Sequence, residues 1–218
     1  METFFVSKVS FCRFASLLMR EKILDISKDL FLNLGFKSVT MDEIASNLGV
    51  SKKTIYKYFK NKTDLVAGVT DYMFTAICCG IDDVCGQKLN PIEEIFSIKR
   101  MVMKHLKDEK SSPQYQLQKY YPKIYASLKQ KQFHVMQKTI KENLLRGIGL
   151  ELFRESINVE FISRIYFYGM IAIKDQEIFP LTNFSMNELM NNYLEYHISG
   201  IATEKGLQEL QNQLTQKQ

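Results

Sequence analysis

The sequence has no tryptophan, only three histidines, and four each of cysteine and proline among 218 residues. His105, His134 and His197 stand far apart, with no cysteine or carboxylate at helical metal-ligand spacing, so no metal site is expected. Cys12, Cys78, Cys79 and Cys85 lack zinc spacing and suit a reduced compartment better than a disulfide scaffold. They read as small apolar residues on helices, with thiol-based sensing as the alternative. No nucleophile motif, glycine-rich phosphate loop or paired-carboxylate signature occurs, so nothing positive supports an enzyme and no cofactor is expected. Alternation of period two is never long enough for a strand, and there is no internal repeat or linker. No run approaches the roughly eighteen apolar residues of a membrane span, so no membrane association is expected. The opening METFFVSKVSFCRFASLL carries Glu2 and is broken by Lys8 and Arg13, which is not the order of a secretory signal. A cytoplasmic protein is the expectation.

Charge is present, but unevenly. The net charge is +5; residues 1–62 hold eleven Lys/Arg against six Asp/Glu, while residues 63–218 hold eighteen of each. All the excess positive charge therefore sits on the first segment, as expected of a phosphate-contacting head on a neutral body.

That segment contains TMDEIASNLGVSKKTIYKYFKNK at residues 40–62. Thr40 with Glu43 three residues on is a capping box, which starts a helix at Met41. Ile44 and Leu48 form its inner face, and Ala45 is small where a second helix must cross. Gly49 supplies the positive φ that ends the helix and turns the chain. Ser51 caps a second helix predicted to run to about Phe59, with Ile55 and Phe59 inward. Its exposed surface carries Lys52, Lys53, Thr54, Tyr56, Lys57 and Tyr58. A run of lysines alone is usually a solvated face. Two capped helices around a glycine turn, with hydroxyl-bearing side chains between the lysines, make a DNA-binding helix-turn-helix.

The rest reads as helix, giving an all-α fold. Ile23, Ile26, Leu30, Phe31 and Leu34 mark an amphipathic helix over residues 19–34, ended by Gly35 and packing on the helix-turn-helix as a third member of the head. Residues 1–18 are an N-terminal extension that extends this helix, packs on the body, or lies upstream of a true start at Met19. The head is expected at residues 19–64 and a helical body at 65–218. Within the body a long helix should run from Lys62 to about Gly86, linking reader and body mechanically. Others are expected from Pro91 to about Lys107, then near 114–120, 122–147, 158–175 and 186–200, with a short tail helix. Asp108 to Pro113 is a polar break, Asn158 an N-cap, and Ser185 with Glu188 a further capping box.

Residues 20–69 resemble the TetR (tetracycline-repressor) family of bacterial transcription regulators: an amphipathic helix, the stretch above, then Tyr56-Lys57-Tyr58-Phe59 and Lys60-Asn61-Lys62 leading into the long helix. The resemblance implies about nine helices and a homodimer through the last two long helices, with the two readers spaced to meet double-stranded operator DNA. The apolar residues Phe161, Ile162, Ile165, Phe167, Met170, Leu189, Tyr193, Leu194, Tyr196 and Ile198 are compatible with such an interface, or with internal core. By position, Thr40 and Lys62 resemble phosphate contacts at helix N-termini, and Tyr58 aligns with a phosphate-holding Tyr/His. Lys52, Lys53, Thr54 and Tyr56 occupy base-facing and groove-lining positions. Ser51, Lys57 and Lys60 complete the DNA-facing set.

The family usually binds a small molecule inside the body and releases DNA as the fourth helix tilts, which implies an unknown small-molecule effector here. Candidate pocket residues are Tyr72, Phe96, Met103, His105, Tyr115, Tyr121, Phe133, His134 and Tyr168, with Phe74 and Met136 beside them; their chemistry fits an apolar or aromatic effector, and equally ordinary helix packing. The competing reading is a DNA-bound scaffold that recruits a protein partner and senses no small molecule. An accessible apolar cavity would favour the first, a filled core the second.

Overall fold

The computed structural model describes residues 3–106, 113–180 and 182–215, with side chains from residue 16 onward. Among them are ten helices and no strand: α1 Thr3–Leu34, α2 Met41–Leu48, α3 Lys52–Tyr56, α4 Lys62–Gly86, α5 Pro91–His105, α6 Pro113–Tyr120, α7 Pro122–Gly149, α8 Val159–Ala172, α9 Met186–Ser199 and α10 Glu204–Thr215. The all-α expectation holds, with ten helices rather than about nine. α1 is continuous from Thr3, not from Met19. Most of the expected polar break falls in residues 107–112, outside the described residues. α8 stops at Ala172, where the Ile173 N–H closes on the Gly169 carbonyl.

Caps set most of the boundaries. The Thr40 hydroxyl accepts from the Glu43 N–H (3.1 Å), and the Thr40 N–H donates to the Glu43 carboxylate (3.4 Å). Gly49 sits at φ 65°, and the Val50 N–H reaches back to the Ala45 carbonyl at 3.0 Å, satisfying an orphan acceptor of α2. Ser51, Asn61, Asn90, Asn158 and Ser185 each accept a backbone N–H at the start of α3, α4, α5, α8 and α9. α3 is shorter than predicted. Its ladder tightens after Tyr56 into turns in which the Tyr58 and Phe59 N–H groups both meet the Ile55 carbonyl. This swings the Phe59 ring into the core beneath Gly68, where a Cβ would lie 2.8 Å from it.

Two main apolar cores result. The head core gathers Ile23, Leu24, Phe31, Phe36, Val39, Ile44, Ile55 and Phe59, and it also takes Leu65, Val66 and Val69 from α4 and Leu117 from α6. The body core joins Ile92, Ile95 and Phe96 of α5 to Ile140 and Leu144 of α7, Tyr166 of α8, and Leu194 and Ile198 of α9. A buried polar clasp fastens α5 to α7. The Glu94 carboxylate, 1% exposed, accepts from Arg146 (2.7 Å) and Asn143 (2.8 Å), while Arg146 also donates to the Leu89 carbonyl (2.6 Å). α4 is long and apolar enough by composition to cross a bilayer. In this fold it packs instead on α1, α5 and α7, and Asp71 within it pairs with Lys131 of α7 at 2.6 Å.

Candidate nucleic-acid interface and body cavity

Ile55 and Phe59 anchor the reader from beneath, and burying each contributes about 1.5–3 kcal/mol. Lys52, Lys53, Tyr56 and Lys57 are left on the outer face, followed by Lys60 in the turn. These side chains are not equivalent. Lys52 is tied to Asp42 of α2 at 2.7 Å, and that hydrogen bond raises its ammonium above its ordinary value. Thr54 is half-buried, its hydroxyl 2.9 Å from that of Ser51. Tyr58 is half-buried against the head core. Lys53, Lys57 and Lys60 are exposed and have no side-chain ion pair among the described residues.

The two helix N-termini singled out by position are more occupied than the sequence suggests. At α2 the Thr40 hydroxyl and N–H are both engaged with Glu43. At α4 the Asp64 carboxylate accepts from the Lys60 N–H at 2.9 Å, which brings a negative charge to the positive end of the helix. Lys62 is half-buried and donates to the Lys37 carbonyl at 3.1 Å. Burial lowers its ammonium from the usual value, with Glu43 pulling the other way.

A partly open cavity of about 190 Å³ lies among α4, α5, α6, α7, α8 and α9. Phe74, Ile77, Met136, Phe167, Met170 and Met190 are among its apolar walls, with Thr70, Cys78, Lys99, Gln114, Gln132 and Lys174 as polar points. Phe36 from the head loop lines it too, and Leu117 of α6 belongs both to this wall and to the head core. Next to them the Gln116 side chain crowds Gly35 and accepts from the Lys37 N–H at 3.4 Å. A molecule in the cavity therefore touches side chains that the DNA-binding head uses for its own packing. Burial raises the Cys78 thiol, assisted by Asp82 and Cys79, which keeps it protonated.

Of the pocket candidates read from sequence, Phe74 and Met136 line this cavity. The other nine lie elsewhere. Phe96 is fully buried in the body core, and Met103 packs with Ile173 and Met186. Tyr72 and Tyr121 pack on the head core, and Tyr121 meets the Phe36 ring edge-on at 6.3 Å. Phe133 faces Phe167 at 5.1 Å, with the exposed His134 beside it. Tyr115 and Tyr168 carry lysine ammonium groups over their rings, from Lys119 and Lys129. His105 is exposed, its ring nitrogen 3.0 Å from the Met101 carbonyl. An aromatic on an inner helix face meets whichever neighbour crosses it, and composition does not reveal which.

Sequence reasoning misses Lys99 and Lys174. Lys99 has a signal: it lies on the apolar stripe Ile92, Ile95, Phe96, Met103, where a lysine is out of place. His197 is buried between Tyr166 and Tyr193, and burial pulls its pKa down to about 4. On the outer face of α8, Phe161, Ile165 and Tyr168 are exposed, as is Tyr196 of α9 at 78%. Phe167, Leu189, Leu194 and Ile198, compatible by sequence with a subunit interface, are buried within the protomer.

Residues 23–69 match the family described as bacterial regulatory proteins, tetR family. The uncharacterized HTH-type transcriptional regulator YdeS of Bacillus subtilis is 28% identical over 171 residues, spanning 71% of this chain and 79% of its own. Another B. subtilis HTH-type regulator, YerO, is 40% identical over 53 residues, but these are only 18% of its length. Among solved structures, SmeT, the repressor of the Stenotrophomonas maltophilia multidrug efflux pump SmeDEF, superposes with a TM-score of 0.62 at 15% identity. That match covers 85% of this chain and 91% of SmeT, a likeness of fold.

Proposed function

The chain belongs to the TetR family of bacterial transcription regulators, and we propose that it is an effector-responsive repressor, acting in the cytoplasm as a homodimer on double-stranded operator DNA. The head at residues 19–64 reads DNA, and the body from residue 65 senses and dimerises. Lys53, Lys57 and Lys60 hold phosphates, while Tyr56 and the face around Thr54 choose sequence. The subunits meet through the exposed faces of α8 and α9, where Phe161, Ile165, Tyr168 and Tyr196 would otherwise face water.

The observation that carries the effector reading is the cavity itself. It is apolar, and Phe36 and Leu117 are shared between its wall and the packing of the head. An effector there works by binding the DNA-incompetent arrangement more tightly, and DNA must weaken effector binding by the same factor. A scaffold with a filled core would have no use for such a cavity.

The test is binding of the purified protein to its own upstream DNA and to scrambled DNA, with Tyr56→Ala alongside. Selective binding that Tyr56→Ala abolishes, with the dimer intact, supports the reading. A footprint fully retained in Tyr56→Ala sinks the assignment of the reader.

A further inference from the structure

We infer that Lys37, Lys119 and Lys123 form an outer rim of the DNA interface, through which the body holds backbone phosphates flanking the bases that α3 reads; this rests on the DNA-binding reading proposed above. The body as a whole is neutral, but residues 113–141 hold six lysines and no Asp or Glu. Three of the six are engaged on the body itself: Lys131 with Asp71, Lys141 with Glu160, and Lys129 over the Tyr168 ring. Lys119 lies in the last turn of α6 and Lys123 in the first turn of α7, both exposed. Around them Leu117, Tyr121 and Ile124 pack on the head core, so these two lysines stand at the seam between body and head.

A cation of the head meets them there. The Lys37 ammonium lies over the Tyr120 ring at 5.2 Å, and the Lys119 ammonium stands 5.7 Å from the same ring and 3.4 Å from the Tyr115 hydroxyl. Two like charges thus gather at one aromatic ring, and the phenols beside them leave the positive charge uncancelled. The patch is continuous with the reader. Lys62, two residues after Lys60, donates to the Lys37 carbonyl, and Lys37 lies three residues before the Thr40 cap of α2. The carboxylates at these two helix starts are already engaged, Glu43 with the Thr40 N–H and Asp64 with the Lys60 N–H. Ammonium groups placed this way attract phosphate without distinguishing bases. Sequence choice stays with α3, and the rim adds affinity that salt removes.

The experiment is fluorescence anisotropy of the full chain with its own upstream DNA in two forms. One is the shortest duplex still preferred over scrambled DNA; the other extends it by about ten base pairs, one helical turn, at each end. Wild type, Lys37→Gln/Lys119→Gln/Lys123→Gln and Lys37→Arg/Lys119→Arg/Lys123→Arg are compared across a salt series. One flanking phosphate per subunit should steepen the slope of log affinity against log salt by about 2 on the extended duplex. Wild type should bind that duplex at least about tenfold more tightly than the short one. The Gln variant should lose both the advantage and the added slope, while keeping its affinity for the short duplex and its preference over scrambled DNA. The Arg variant should retain them all. Should the triple Gln variant fail to fold, Lys119→Gln and Lys123→Gln carry the comparison singly. Equal affinity of wild type for the two duplexes, or an advantage that survives in the Gln variants, overturns the rim and leaves the reader standing. Equal weakening of a Gln variant on both duplexes overturns the flanking placement as well. No binding of wild type to any DNA at low salt overturns the DNA-binding reading along with it.

Discussion

Salt dependence separates the lysines that touch DNA from those already occupied by the protein. Each phosphate that a lysine neutralises steepens the slope of log affinity against log salt by about 0.9. Lys53, Lys57 and Lys60 are exposed and unpaired among the described residues, so a dimer should engage about six phosphates, with a slope near −5. Raising salt from about 50 to 200 mM should then weaken binding about a thousandfold. The variant Lys53→Gln/Lys57→Gln/Lys60→Gln should lose most of that slope. Its stability should stay within about 0.5 kcal/mol of wild type, because these three ammonium groups face solvent rather than the protein. Lys52→Gln should leave the slope nearly unchanged, since its ammonium is held by Asp42 at 2.7 Å. Fluorescence anisotropy with a labelled operator across a salt series measures all of these. If Lys52→Gln flattens the slope as much as Lys57→Gln alone, Asp42 lets go of Lys52 on DNA. The distinction between free and occupied lysines then fails.

Three further outcomes are expected. Gly49→Ala should destabilise the head by about 1 kcal/mol in denaturant melts, purely from φ 65°, because nothing lies within 4 Å of the added Cβ; Gly49→Asn should recover part of it. Glu94→Ala should cost about 3 kcal/mol, since it strips the partner from Arg146 and Asn143 inside the body; an effect under about 1 kcal/mol would mean that water replaces the clasp. His197 stays neutral in the folded protein down to a pKa of about 4, whereas the unfolded chain takes the proton from about 6.5. Stability should therefore fall by about 3 kcal/mol as pH drops through that window, with no contribution above it and no further loss below it; His197→Gln should remove this slope from a pH series of unfolding midpoints.

Local chemistry makes the reader legible in the sequence. Thr40 with Glu43, Gly49, and Ser51 ahead of an Ile55–Phe59 pair act within one or two helical turns, and the helix starts they imply are those observed. The long helix from Lys62 to Gly86 is equally plain, since nothing in it interrupts the ladder. Less visible is where α3 ends. Its last turn is set by Phe59 reaching the core against Gly68, a contact across the head.

What the sequence by itself determined is the class of the molecule: an all-α chain with a basic, capped helix-turn-helix at one end, because caps, turns and helical periodicity depend on near neighbours. Only the tertiary structure decided which lysines are spent on the protein, Lys52 on Asp42 and Lys62 on the Lys37 carbonyl, and which stay exposed. It alone also decided which of the many aromatics line the cavity, and that Lys99 and Lys174 stand in its wall. Such partners come from helices far apart in the chain. A stripe of inward residues states that a face is buried; only the crossing of helices states against what.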